Sequence, residues 1–223
     1  MAQSENARRV AGYIGIGGAL LLFLGDMLLF GHFGSGAEFR AGMLETIQQA
    51  SPARLFAGGL MGSVAGCMCI AGFWHVYQNM HSSAARSARP MFALFAVFAV
   101  AAGTFHALWT TNELALKFCT TDSASCKELL SSVRSYVNLT YLLSAVPGAL
   151  ASLVLLGLVL LKRTRYPRWS ALANPLVLLA LSPLAAFIPA PVGAVFVGGF
   201  ASLLLVAFFV VSVATTWAAR SDA

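Results

Sequence analysis

The sequence predicts an all-α, polytopic integral membrane protein: a single domain, 1–223, built as a six-transmembrane-helix bundle with both termini in the cytoplasm. Three observations carry that expectation. Of 223 residues, 59% are hydrophobic and only 10% are charged, with a mean hydropathy of +0.79. Apolar stretches long enough to cross a bilayer recur six times, and the cations between them fall on alternate loops. An ordinary soluble domain carries about a quarter charged residues and under half apolar ones. A chain of this size has too little interior to hide the excess from water. The composition therefore excludes a soluble enzyme, and it equally excludes a disordered chain, which needs low hydrophobicity and high net charge.

A helix must run about 20 mostly apolar residues to cross the hydrocarbon core. The first stretch, 10–33, follows Arg8 and Arg9 and contains Gly12, Gly15, Gly17, Gly18 and Gly25, with Asp26 in its outer part. A positive start followed by an apolar run raises the question of a signal peptide. The run is too long for one, Asp26 interrupts it, and no small-residue cleavage site follows, so a retained helix is expected. The second stretch, 55–77, carries Gly58, Gly62 and Gly66 at intervals of four, a small-residue stripe that lets another helix approach closely. Cys67 and Cys69 lie in the same stretch. Two residues apart on a helix they point to different faces, so packing is expected in preference to a shared soft metal ion. The stretch ends in Phe73-Trp74-His75-Val76-Tyr77, and Trp169 and Trp217 fall at the matching level. This reads as an aromatic belt at the headgroups, with His75 a member of it.

The third stretch, 91–111, continues into a polar extension and places His106, Trp109, Thr110, Glu113 and Lys117 on one stripe. Cys119 and Cys126 lie in the loop beyond, Cys-Thr-Thr-Asp-Ser-Ala-Ser-Cys. Two cysteines in a polar loop facing an oxidising compartment predict a disulfide, worth about 2.5 kcal/mol on the chain-entropy account of an eight-residue loop. The fourth stretch, 136–161, enters with Tyr136, Asn138 and Tyr141. The fifth, 171–188, is the shortest and contains Pro175 and Pro183; a Pro189-Ala190-Pro191 turn leads to the sixth, 192–217. The turn predicts an antiparallel helical hairpin. No segment alternates polar and apolar residues with a period of two, so strands are not expected.

Orientation follows from the basic residues. Arg8, Arg9, Arg86, Arg89, Lys162, Arg163, Arg165, Arg168 and Arg220 share one side with Glu5 and Asp222, a net charge of +7. Arg40, Arg54, Lys117, Lys127 and Arg134 on the other side are balanced by Glu38, Glu45, Glu113, Asp122 and Glu128. The basic side is expected to be cytoplasmic and the location the cell's inner membrane. The overall charge of +6 is then a topology signal that also favours anionic lipid headgroups, and no nucleic-acid partner is expected.

The polar residues inside the spans carry the functional expectation, because an ionisable group in lipid is costly unless it faces the bundle interior. Asp26 and His106 fall at similar heights on two helices that run in the same direction. Together with Glu113 they form a set suited to holding and passing a proton, and these three are the expected catalytic residues. Trp109, Asn138, Tyr141 and Arg54 are the expected substrate-binding groups around them. The competing expectation is a hydrogen-bonded clip between two helices. No zinc-protease, nucleophile-elbow or phosphate-loop motif is present. No metal or cofactor is expected, haem between His32 and His106 being a weak alternative. The function ranked first is an intramembrane enzyme doing acid–base chemistry on a lipophilic substrate reached from the outer leaflet, with membrane lipids and a lipophilic small molecule or solute as the expected partners. A small-solute or proton-coupled transport or capture protein, and a structural subunit without a ligand, are the alternatives.

Reporters test the orientation. A fusion to the C-terminal end of the chain is expected to be active only if the reporter works in the cytoplasm, and one inserted between Cys119 and Cys126 only if it works outside. The reverse pattern overturns the assignment.

Overall fold

The computed structural model describes residues 2–119 and 123–218. Asp122, Arg220 and Asp222, counted in the charge balance, lie outside the described residues, as does the Trp217 side chain. The fold is all-α, and the described residues hold no strand, only a single bridge between Met80 and Thr164. The helices are α1 (Ala2–Phe30), α2 (Phe39–Gln49), α3 (Pro52–Gln78), α4 (Ala85–Phe118), α5 (Ala124–Leu160), α6 (Pro175–Leu179), α7 (Gly193–Gly198) and α8 (Phe200–Ala218). Four of them, α1, α3, α4 and α5, are long and apolar enough to cross a membrane.

These four correspond to the first four expected stretches but overrun them at several ends. The α5 helix starts a full three turns before residue 136, with Ser123 as its cap accepting a hydrogen bond from the Cys126 N–H. Most of the expected third loop is therefore helix. Likewise the loop after α1 contains α2, whose Phe39, Met43 and Ile47 recur every four residues and turn toward the bundle, Ile47 fully.

The fifth and sixth stretches depart further. Neither is one continuous helix. After α5 the chain forms a 3-10 turn (Arg168–Ala173), the single-turn α6, and a second 3-10 turn (Ser182–Phe187). Pro175 and Pro183 both stand at the start of their pieces, where the missing N–H costs nothing, whereas Pro90 and Pro147 are accommodated inside the long α4 and α5. Asn174 starts α6 by accepting from the Leu176 N–H, while its own amide donates to the Ser152 carbonyl of α5. The sixth stretch is divided between α7 and α8 at Gly198-Gly199.

The chain nevertheless runs between the two ends of the bundle in this region. At the near end, where both termini of the described chain lie, the Arg165 N–H donates to the Asn79 carbonyl. At the far end, the Gly36 N–H donates to Ile188 and the Gly34 N–H to Pro191. The α8 helix then returns antiparallel to α1, with Ser202 beside Asp26 and Val213 beside Gly12.

Packing proceeds as a row: α8 on α1, α1 on α3, α3 on α4, α4 on α5. The row curls, and α6 with the preceding 3-10 turn bridges from α5 back to α8. The α5 helix shows which solvent surrounds it. Leu139, Leu142, Leu143, Val146, Leu150 and Leu153 are exposed, while Thr140, Ser144 and Ser152 are buried. Apolar outside and small polar inside is the arrangement of a helix standing in lipid.

Glycines set the spacing of the row. A Cβ on Gly15 would stand 2.5 Å from the Cα of Gly72, and one on Gly66 2.6 Å from the Ala99 carbonyl oxygen. These obstacles are backbone, so no rotamer relieves them. Gly157, by contrast, has nothing within 4 Å. Gly15→Ala is expected to lower stability by about 1–3 kcal/mol through overpacking. Gly157→Ala should be neutral or stabilise by roughly 0.5–1 kcal/mol through helix propensity. Thermal unfolding in detergent compares the two; equal effects would mean that α1 and α3 are not held by that contact.

Candidate functional site

The curled row encloses a cavity of about 370 Å³ between the α1–α8 side and the α4–α5 side, closed along one flank by α6. Its wall is mostly apolar and aromatic: Leu22, Leu29 and Phe30 from α1, Phe95, Phe98, Phe105 and Trp109 from α4, Tyr141 and Gly148 from α5, Leu176 from α6, and Leu204 and Leu205 from α8. Phe105 stands 5.6 Å from both Trp109 and Tyr141, ring centre to ring centre, so the three rings form one continuous face. Asp26, His106 and Ser202 break this apolar surface.

Those three polar residues come from three helices and meet at one carboxylate. His106 Nε2 lies 2.9 Å from Asp26 Oδ1, and the Ser202 hydroxyl donates to Asp26 Oδ2. Asp26 and His106 are both 7% exposed, the small remainder facing the cavity that they line. Ser202 stands in the first turn of α8, so the positive end of that helix also meets the carboxylate. The other ring nitrogen, His106 Nδ1, is buried without a hydrogen-bond partner. It lies against α3, where a Cβ on Gly62 would come within 2.5 Å of it. Only a glycine there leaves room for the imidazole. Nε2 is thus the ring nitrogen through which His106 engages another side chain, and Nδ1 is packed away from the cavity's carboxylate.

The remaining expected residues divide. Tyr141 and Trp109 line the cavity. Glu113 does not; it is fully buried one turn beyond Trp109, and neither carboxylate oxygen has a hydrogen-bond partner. The Trp109 N–H and the Arg54 guanidinium act on it electrostatically, short of hydrogen bonding, and Asp26 lies within the same electrostatic reach. Arg54 spends its donors on the end of α1, with Nε 2.7 Å from the Leu28 carbonyl and Nη2 reaching Met27 and Gly31. It caps that helix where its carbonyls run out of partners and stays outside the cavity wall. Asn138 is exposed on the outer face of α5, also outside the cavity wall. His32 stacks on Phe39 at 5.6 Å, remote in role from His106, whose Nε2 is engaged. Among the described residues no three His, Cys, Asp or Glu side chains are grouped to hold a metal. Cys119 and Cys126 stand at disulfide distance, with Cα atoms 5.4 Å apart. Cys67 is exposed and Cys69 buried, on different faces.

Two polar features were not anticipated from the residues. Ser202 is one, since a serine in an apolar stretch gives no sign of what it will face. The other is a cluster at the near end. His75 is buried, not in a headgroup belt: its Nδ1–H donates to the Arg8 carbonyl at 2.8 Å, and the Asn79 amide stands 3.3 Å from its Nε2. Tyr166, on the segment after α5, hydrogen-bonds Ser212 of α8 at 2.7 Å. Burial pushes its phenol up to about 12, so it is protonated at neutral pH.

Breaking the Asp26 cluster is expected to be costly. His106→Ala leaves a buried carboxylate without one of its two donors, and a loss of about 3–5 kcal/mol is expected. Ser202→Ala removes a neutral donor to a charged group, about 1.5–3 kcal/mol. Unfolding midpoints in detergent give the order; an unchanged midpoint for His106→Ala would mean that the pair does not hold α1 to α4.

Residues 2–218 match the family described as Family of unknown function (DUF6796). No curated protein and no solved structure matches the chain.

Proposed function

The chain belongs to this family of unknown function, and we propose, from the cavity and the groups in its wall, that it captures a lipophilic molecule inside the bilayer and exchanges a proton with it at Asp26. The observation that carries this is one carboxylate in the wall of a 370 Å³ apolar cavity, held on both oxygens by donors from other helices. An apolar cavity with a few convergent polar groups is the usual form of a small-molecule site. Two of the carboxylate's four lone-pair positions remain for a ligand. His106 and Ser202 orient the carboxylate, and Phe105, Trp109 and Tyr141 receive the apolar body of the ligand. The protein sits in the cell's inner membrane, the irregular 168–187 segment and α7–α8 acting as fifth and sixth passes and the arginine-rich near end facing the cytoplasm.

Capture or proton-coupled transport is preferred here over the enzyme reading because of His106. A shuttling imidazole needs a free nitrogen toward its substrate; Nε2 is engaged by Asp26, and Nδ1 is packed against Gly62. An enzyme on this site would use Asp26 itself as acid and base, with His106 positioning it. Glu113, behind Trp109, would serve as a second proton-holding group.

Mass spectrometry of compounds co-purifying with the wild type, Asp26→Asn and His106→Ala in one detergent tests the proposal. A discrete lipophilic compound is expected on the wild type and absent from both variants. Its conversion on incubation with the wild type would restore the enzyme reading. The same bulk lipids on all three, with only the unfolding temperature changed, would make the cluster a helix clip and overturn the proposal.

A further inference from the structure

Charge inside the cavity decides what kind of lipophilic molecule fits it. Asp26 is met on both oxygens, by His106 Nε2 at 2.9 Å from Oδ1 and by the Ser202 hydroxyl on Oδ2. His106 offers one N–H to that carboxylate, and its second nitrogen has no acceptor that would hold a further proton. No lysine or arginine lines the cavity. Arg54, the basic side chain near this end of α1, donates to the Met27, Leu28 and Gly31 carbonyls and lies outside the cavity wall. The acidic group of the cavity thus faces one imidazole, one hydroxyl and no lysine or arginine in the wall.

The wall beside that charge is aromatic. Phe105 directly precedes Asp26's partner His106 in sequence, and its ring neighbours Trp109 and Tyr141 at 5.6 Å on either side. Aromatic faces are electron-rich and attract a cation in a desolvated site. A neutral ligand meets that face through its apolar body alone, and an anionic one meets Asp26 as a like charge.

We infer that the cavity takes a lipophilic monocation, an alkyl or aryl ammonium whose positive centre sits against Asp26 and whose apolar body lies along the Phe105–Trp109–Tyr141 face. This rests on the proposed capture function and names its ligand class. An ammonium that arrives protonated completes the charge of the cavity. A neutral amine meeting a protonated Asp26 takes the carboxyl proton onto its nitrogen lone pair, giving the same carboxylate–ammonium pair with no other reactant.

The test uses the full chain in lipid nanodiscs and three probes sharing one apolar body: 4-phenylbutylamine, 4-phenylbutanol and 4-phenylbutyrate. Binding is read by calorimetry against empty nanodiscs. The amine is expected to bind roughly tenfold more tightly than the alcohol, as a charge-assisted hydrogen bond exceeds a neutral one. The butyrate is expected not to bind. Asp26→Asn should bring amine and alcohol to the same affinity. Phe105→Leu, which keeps the carboxylate and tests the aromatic face independently, should cut the amine's advantage by about two- to fivefold. If Asp26→Asn does not fold, the amine-to-alcohol ratio in wild type and Phe105→Leu decides the matter alone. An alcohol that binds as well as the amine, or a butyrate that binds better, overturns the cation inference and leaves capture standing. Failure of all three probes to bind above empty nanodiscs overturns the capture function itself.

Discussion

A carboxylate inside a low-dielectric bundle has to be met by donors, and the arrangement of this protein depends on how Asp26 is met. Its partners come from two sides: His106 from α4, two places along the row, and Ser202 from α8 on the opposite flank. The row of helices alone would leave α1 and α4 separated by α3. The hydrogen bond to His106 spans that separation and fixes the curl, and the hydrogen bond to Ser202 fixes where α8 starts. An unpartnered carboxyl group in this position would cost several kcal/mol, so the cavity's shape and its acidic group have the same cause.

The close approach that permits this is made of glycine. His106 reaches past α3 because Gly62 has no side chain where the imidazole lies, and Gly25 on α1 leaves space for its Cε1 edge. The small-residue stripe thus does more than bring helices together. It is the passage through which a residue on α4 touches one on α1. On the near-end side of this level Gly15, Gly66 and Gly72 bring the backbones into contact, and on the far side Gly58 and Gly59 do so against Leu29 and Thr110.

Much of this was legible in the residues, for identifiable reasons. The long helices were, because lipid demands unbroken apolar runs and nothing else produces them. Asp26 and His106 were, because ionisable groups at one depth on parallel helices have few places to go except each other. The disulfide-distance pair Cys119 and Cys126 was, from loop polarity and spacing. The α2 helix was missed because it is too polar for a hydropathy scan, although Phe39, Met43 and Ile47 repeat at the helical interval. The fifth stretch was taken as a helix on hydropathy, where Pro175 and Pro183 start short pieces. Asn138 was assigned inward from its neighbour Tyr141, but the inner face of α5 is set by Thr140, Ser144 and Ser152, which turns Asn138 outward. His75 was hidden by its aromatic neighbours: in a belt-like string nothing marks the one member that points to the core.

The short, proline-broken α6 has a consequence for how any ligand concentration should be expressed. It closes the flank between α5 and α8 with a single helical turn and two 3-10 turns, where every other flank has a full-length helix. A wall of that kind has few backbone hydrogen bonds to lose, and the bilayer's hydrocarbon lies directly beyond it. A ligand of the proposed kind, entering across this flank, would come from the membrane phase and not from water. The occupancy of the site then follows the mole fraction of ligand among the lipids, so the same protein gives different aqueous midpoints at different lipid-to-protein ratios.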